Sequence, residues 1–432
     1  KGNSTYFFTN LVGSTKYPLN IDLDLIYDDQ DLLGYNKVKL SNSIFDPTYV
    51  KETLGYLTQG YYLPTPETGY TTVKINGEYL GLYITVESIN KSFLTKHFGN
   101  NEGTFFKCEP QFQFGEFYDA SPSLAWFGDD TMDYAYQMGY ELKSDYGWSD
   151  LIDLIYTLNF NMDSIESILN VDRALWYLAV NSCILNADTY SLVNVRNYYL
   201  YQTENGQFQI IPWDVSESFI GALFWWWGNP QNLYEASPYH GYDPYVEDRP
   251  LVYNLLSVED YKNIYDAHLR TIINQILNTN FIYNKVEDLG QLSSNNAQLD
   301  PNTFFGDGFD YNVNQDYWSG DNTFAGILNT LSYRTDYLNS HPVMNTSTPD
   351  IEYVSQNIQE PIAGEEVVVT AKITNVDQVE LMITTQLDHF NFTSYLMNDN
   401  GVDGDLIAGD NIFSLIVPFS DAGDYIQYYI RA

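Results

Sequence analysis

Between Val171 and Asp214 the sequence reads as a helix, a polar loop, a two-stranded hairpin and a Pro-Trp-Asp exit, and this run constrains the fold more than any other part of the chain. Apolar residues recur at helical spacing at Leu175, Leu178, Ala179 and Cys183, predicting a helix over 171–185. The loop after it carries Asn186, Asp188, Asn194 and Asn197. Tyr198-Tyr199-Leu200-Tyr201 and Phe208-Gln209-Ile210-Ile211 then flank the turn formers Glu204-Asn205-Gly206. A hairpin brings the chain back to the edge where it began, so Asp188 before it and Asp214 after it can converge on one site. Two carboxylates among amides suit a hard divalent cation. Spacing alone leaves a second reading open, in which Asp188 belongs to a loop and Asp214 caps a helix starting at Val215.

The remaining segments predict an α+β protein with two parts. Apolar runs on either side of Asn76-Gly77 form a strong hairpin signal. Ser149 is a good N-cap for a helix running through Tyr156. A polar linker over 341–349, from His341-Pro342 to Thr348-Pro349, separates a first domain over 1–340 from an all-β domain over 350–432. In the latter, Val367 to Ile373, Val379 to Ile383 and Tyr425 to Ile430 are short alternating runs between Gly, Asn and Asp turns. The chain opens inside a motif and stops inside a strand, so both ends are expected to be cut from something longer. No stretch is apolar for long enough to span a membrane.

Charge narrows the function classes. Across 432 residues, 57 acidic side chains face 19 basic ones, a formal net charge of −38 that repels phosphate backbones and argues against a nucleic-acid partner. The same excess of oxygen donors suits divalent-rich, extracellular or marine surroundings. Cys108 and Cys183 are too few for a disulfide scaffold or a zinc site; they are either one bridge or two buried thiols.

Motifs spread along the first domain resemble those of the CotH (spore coat protein H) kinase family. They are Lys1-Gly2-Asn3-Ser4-Thr5, Val38-Lys39-Leu40-Ser41-Asn42 with Asp46-Pro47-Thr48, Asn76-Gly77-Glu78-Tyr79-Leu80-Gly81-Leu82-Tyr83 with Glu87, Gly103-Thr104-Phe105-Phe106-Lys107, Asn186-Ala187-Asp188, Asn197-Tyr198-Tyr199-Leu200-Tyr201 and Ile211-Pro212-Trp213-Asp214. The resemblance covers roughly residues 1 to 340 and implies an atypical protein-kinase-like fold followed by an immunoglobulin-like β-sandwich. It implies a secreted or surface-displayed kinase that uses ATP with Mg or Mn to phosphorylate Ser or Thr of a protein substrate. It carries the catalytic Asp onto Asp188 and the metal-binding Asp onto Asp214, with Asn194 or Asn197 as second metal ligand. Asn194 follows Asp188 by six, against five in the H-R-D-x-x-x-x-N pattern. Kinase order places Lys39 on a strand and Glu52 on a helix over Asp46 to Leu57, with Glu87 leading into the adenine-binding hinge and Lys107 as another phosphate contact. No G-x-G-x-x-G loop is present; Gly2 and Gly13 stand in the corresponding region.

Two further features suggest ligands. Asp310, Asn312, Asn314 and Asp316, with Asp321 beyond, place oxygens at alternating positions like a calcium loop without its central Gly, and Asp399, Asp403, Asp405 and Asp410 form an Asp-Gly-rich loop; both are candidates for calcium, although such residues also simply make turns. Trp225-Trp226-Trp227 is a candidate polysaccharide or surface-assembly contact. A catalytically inactive kinase fold serving as an adhesion or scaffold module is the alternative, and a glycoside hydrolase is disfavoured because neither aspartate lies in a hydrolase motif.

Overall fold

The computed structural model describes the chain apart from residues 1–2, 29, 111–119, 222–232, 248, 307, 320–321, 386–391 and 419–425. Helices and small antiparallel sheets alternate along the chain, an α+β arrangement, and the contacts divide it into two compact units, Lys1–Met344 and Asn345–Ala432. Among the described residues no helix is long and apolar enough to cross a membrane.

The first unit begins with α1 (Asn3–Leu11), β1 (Leu19–Asp22), β2 (Lys37–Ser41), α2 (Lys51–Gln59), β3 (Thr68–Ile75) and β4 (Glu78–Glu87). The strands form one antiparallel sheet in the order β1-β2-β4-β3. Asn76 and Gly77, both at positive φ (52° and 89°), make the two-residue turn that the Asn-Gly signal calls for. The helix expected from Asp46 starts five residues later, at Lys51. The Asp46 carboxylate accepts from the backbone N–H groups of Thr48 and Lys51, and this local turn competes with helix over 46–50.

Then come α3 (Lys91–Phe98), β5 (Phe105–Cys108), α4 (Tyr134–Gly139), β6 (Tyr140–Leu142), α5 (Trp148–Phe160), α6 (Val171–Cys183), β7 (Tyr198–Gln202) and β8 (Phe208–Pro212). The second antiparallel sheet has the order β6-β5-β7-β8. Ser149 does not cap α5. The helix begins two residues earlier than that cap would place it, at Trp148 behind Gly147 at φ 140°, where an added Cβ would lie 2.3 Å from Thr104 Cγ2. Asn170 is the N-cap of α6, its Oδ1 accepting from Arg173 N at 3.0 Å. The unit closes with α7 (Pro250–Leu256), α8 (Glu259–Ile272), α9 (Asn280–Gln298), the hairpin β9 (Tyr317–Ser319) and β10 (Asn322–Phe324), and α10 (Ile327–Ser340). One apolar core joins α5, α6, α7 and α8. Cys108 on β5 and Cys183 at the end of α6 are free, buried thiols.

A buried ion pair ties the N-terminal segment, the first sheet and the turn after α9 together. Lys16 Nζ lies 2.5 Å from Asp300 Oδ2, and both side chains are fully enclosed. The same oxygen accepts from Leu82 N at 2.9 Å and Tyr49 Oη at 3.2 Å, so the carboxylate has the partners that burial demands.

The second unit contains β11 (Asp350–Gln356), β12 (Val368–Thr374), β13 (Glu380–Thr384), β14 (Thr393–Leu396), β15 (Ile412–Ile416) and β16 (Gln427–Arg431). They form two three-stranded antiparallel sheets, β11-β12-β15 and β14-β13-β16. Alternate residues of β12, Val369, Ala371 and Ile373, are buried in one cluster with Leu381 and Ile383 of β13.

Candidate active site

The ladder of β7 and β8 ends at the pair Tyr198 and Pro212, and one step beyond it Trp213 N donates to Asn197 O at 3.1 Å. That closure brings the loop before the hairpin and the segment after it side by side. Asn197 (φ 64°) and Asp214 (φ 47°) both adopt left-handed backbone, turning the chain sharply at either side of the ladder's end.

Three side chains converge on Asp188. Asn194 Nδ2 donates to its Oδ1 at 2.7 Å, Asn197 Nδ2 donates to its Oδ2 at 3.1 Å and to its backbone O at 2.7 Å, and Arg196 Nε stands 3.5 Å from Oδ1. Across from it, Asp214 N donates to Tyr56 Oη of α2 at 3.0 Å, and Ser216 Oγ donates to Asp214 Oδ1 at 2.8 Å. No helix begins at Val215: residues 216–220 form turns, so Asp214 is not a helix cap. Burial, then the negative charges of Asp188 and Glu109, raise the Asp214 carboxyl above its ordinary range. Carboxylates that repel one another in this way, with amide oxygens beside them, form a donor set that fits a divalent cation.

Lys37 and Lys39 lie two apart on β2 and share a face, the face that walls a cleft of about 310 Å³. Ser88, Ile89, Lys91, Phe105, Lys143 and Tyr199 line it too. Four lysines and two carboxylates, Glu102 and Asp145, line this cleft, and Lys143 is ion-paired with Glu141 at 3.0 Å. Lys37 is ion-paired with Asp22 at 3.0 Å. The Lys39 ammonium stands 3.7 Å from the centroid of the Trp213 ring, and burial, helped by the charges of Lys107 and Lys143, pulls it down to about 8. On α2, burial and then the Asp214 charge push Glu52 up to about 8. Lys107 is ion-paired with Glu109 and interacts electrostatically with both Lys39 and Asp214.

The structure therefore brings Asp188, Asn194, Asn197, Asp214, Lys39, Glu52 and Lys107 into one neighbourhood. Glu87 turns elsewhere, accepting from Glu67 N at 3.0 Å and facing Lys96 at 3.3 Å, on a separate cavity of about 260 Å³. Asp316 Oδ1 accepts from Gly326 N, Asp310 Oδ1 from Gln298 Nε2, and Asn312 Oδ1 from Asn314 N, so these oxygens serve local contacts. Asp399, Asp405 and Asp410 gather within 4.8 Å of one another, without Asp403. Backbone N–H groups already occupy these carboxylates, among them Gly401 on Asp405 and Gly409 on Asp399. Gly2, Trp225-Trp226-Trp227 and Asp321 lie outside the described residues. Sequence reasoning missed Glu109, Lys143, Arg196, Tyr56 and the Trp213 ring; the position of Arg196 between Asn194 and Asn197 was the one available signal.

Over residues 1–319 the chain matches the family described as CotH kinase protein. The chain belongs to this family. It is also similar to the inner spore coat protein H of Bacillus subtilis (strain 168), with 26% identity over 204 residues, 45% of this chain and 52% of that protein. The chain thus spans about half the length of the curated relative it matches. Membership of a kinase family suggests ATP, a divalent metal and a protein substrate.

Proposed function

We propose that the first unit is an ATP-dependent protein kinase that transfers the γ-phosphate to Ser or Thr hydroxyls. The observation that carries this reading is the approach of Asp188 and Asp214 at the two sides of one hairpin, with Lys39 of the neighbouring cleft interacting electrostatically with Asp214. In this reading Lys37, Lys39, Lys91 and Lys143 face the phosphates, and the β4-to-α3 segment Ser88-Ile89-Asn90 faces the base. Asp188 Oδ2, which accepts one hydrogen bond from Asn197 Nδ2 at 3.1 Å, is the base that takes the acceptor proton. The acceptor oxygen then bonds to the γ-phosphorus as the bond from that phosphorus to the bridging oxygen breaks, and ADP leaves. Arg196 and Asn194 hold Asp188 Oδ1 and so orient the carboxylate.

Asp214 and Asn197 would hold the divalent cation, which supplies neutralisation of the phosphate charge. Asn194 would serve equally, since each of the two amides commits its NH2 to Asp188 at 2.7 Å and keeps its own carbonyl oxygen for a cation. We further propose a coat or surface location, by analogy with the spore coat relative, and an immunoglobulin-like identity for the second unit.

A second reading, a retired kinase fold acting as a scaffold, is favoured by one observation. Among the described residues Lys39 and Glu52 make no ion pair, whereas active protein kinases need the corresponding pair in place. Incubation with γ-labelled ATP and Mg or Mn decides between them. Label transfer to the chain or to a Ser-rich acceptor should fall about 100-fold or more in Asp188→Ala, as expected for loss of a general base. The Asp214→Ala chain should lose the metal-dependent rise in melting temperature with ATP. Full transfer by Asp188→Ala would sink the assignment, and the absence of both label and thermal shift in the unmodified chain would favour the scaffold.

A further inference from the structure

The absent ion pair leaves the question of what holds Lys39 in place. Its ammonium lies over the Trp213 ring at 3.7 Å, well inside the roughly 6 Å within which a cation is attracted to an indole face. The ring itself is firmly placed. Its backbone N–H is bonded to Asn197 O at 3.1 Å, Tyr199 meets it edge-on at 5.9 Å and 87°, and it packs against two apolar clusters, one containing Ile89, Phe105 and Ile211 and the other Leu82, Val86 and Val215. Trp213 also directly precedes Asp214, so one short stretch fixes both the ring and the carboxylate. Tyr199 and Lys39 both line the cleft.

We propose that Trp213 is the positioning residue for Lys39, its ring holding the ammonium at the cleft wall to meet a nucleotide phosphate, in the role a helix glutamate takes in other kinases. The inference rests on the kinase reading of the cleft. A ring is a suitable holder here for two reasons. The indole face attracts the cation without forming an ion pair, so N–H groups of the ammonium turned away from the ring stay open to phosphate oxygens. It also adds no anion where Asp188, Asp214 and Glu109 already repel one another.

A double-mutant cycle in the full chain, with Lys39→Met, Trp213→Leu and both together, tests this, with Trp213→Phe as the conservative variant. Trp213→Leu should raise KM for ATP about tenfold with a smaller change in kcat, and Trp213→Phe should restore it to within about threefold. The Leu substitution should add little on top of Lys39→Met. Additive effects, or a Phe chain as impaired as the Leu chain, would overturn the proposal. Trp213→Met removes the ring with a longer, more adaptable side chain and serves the same cycle if the Leu chain does not fold. Melting temperatures of the four chains without nucleotide report the contact itself. Coupling seen there, with no thermal response to ATP and Mg in the unmodified chain, means that the kinase reading has failed and that Trp213 and Lys39 meet for structural reasons alone, which overturns the positioning role.

Discussion

Glu52 is an acid held where charge is penalised, by burial first and by the Asp214 carboxylate next. The folded chain therefore keeps its proton up to about 8, while the unfolded chain releases it near the ordinary value of 4.5. Over that window the folded state binds more protons, so this group's contribution to stability is full below 4.5 and is lost as the pH rises through about 8. Glu52→Gln removes the slope. Its melting temperature relative to the unmodified chain should climb steadily between pH about 5 and pH about 8, and a constant difference would show that the carboxyl is ionised throughout. The sequence could name Glu52 as a helix residue near the site, but its protonation depends on Asp214, which is remote in the chain. Asp188 and Asp214 were legible for the opposite reason, since a hairpin signal alone brings its two ends together. Glu109 and Lys143 carry no such signal; they reach the cleft and its surroundings through the pairing of β5 with β6 and β7, and cross-strand neighbours follow from register that one sequence does not reveal.

Among the elements, β4 is tightly constrained at Gly81. Its φ is 143°, and a Cβ there would lie 2.5 Å from both carboxylate oxygens of Asp300. Gly81→Ala should push that carboxylate off Lys16, and the loss should approach that of Lys16→Met, about 3–5 kcal/mol for breaking a buried pair from one side. Urea unfolding is the check: both chains should show a lower midpoint with an unchanged slope. A midpoint within experimental error of the unmodified chain in Gly81→Ala would mean that the carboxylate has room to move. The hairpins and the helical periodicity of α6 were legible because turn chemistry and apolar spacing are local. The starts of α2 and α5 were not. Asp46 folds its own turn ahead of one, and Gly147 yields to Thr104 from a different strand region ahead of the other.

At the scale of the whole molecule, the lysines of the cleft are embedded in a chain with net charge −38. The contrast between these lysines and the charge of the whole chain has a kinetic side. A nucleotide feels the repulsive far field before it feels the lysines, and salt weakens the far field first, because the screening length shrinks from about 30 Å at 0.01 M to about 8 Å at 0.15 M. Stopped-flow association of ATP should therefore speed up as salt is raised over that range, the reverse of ordinary electrostatic steering, and a rate that falls with salt would mean that the cleft dominates at long range. On the proposed kinase reading, a basic acceptor segment would be drawn in by the same field that delays the nucleotide.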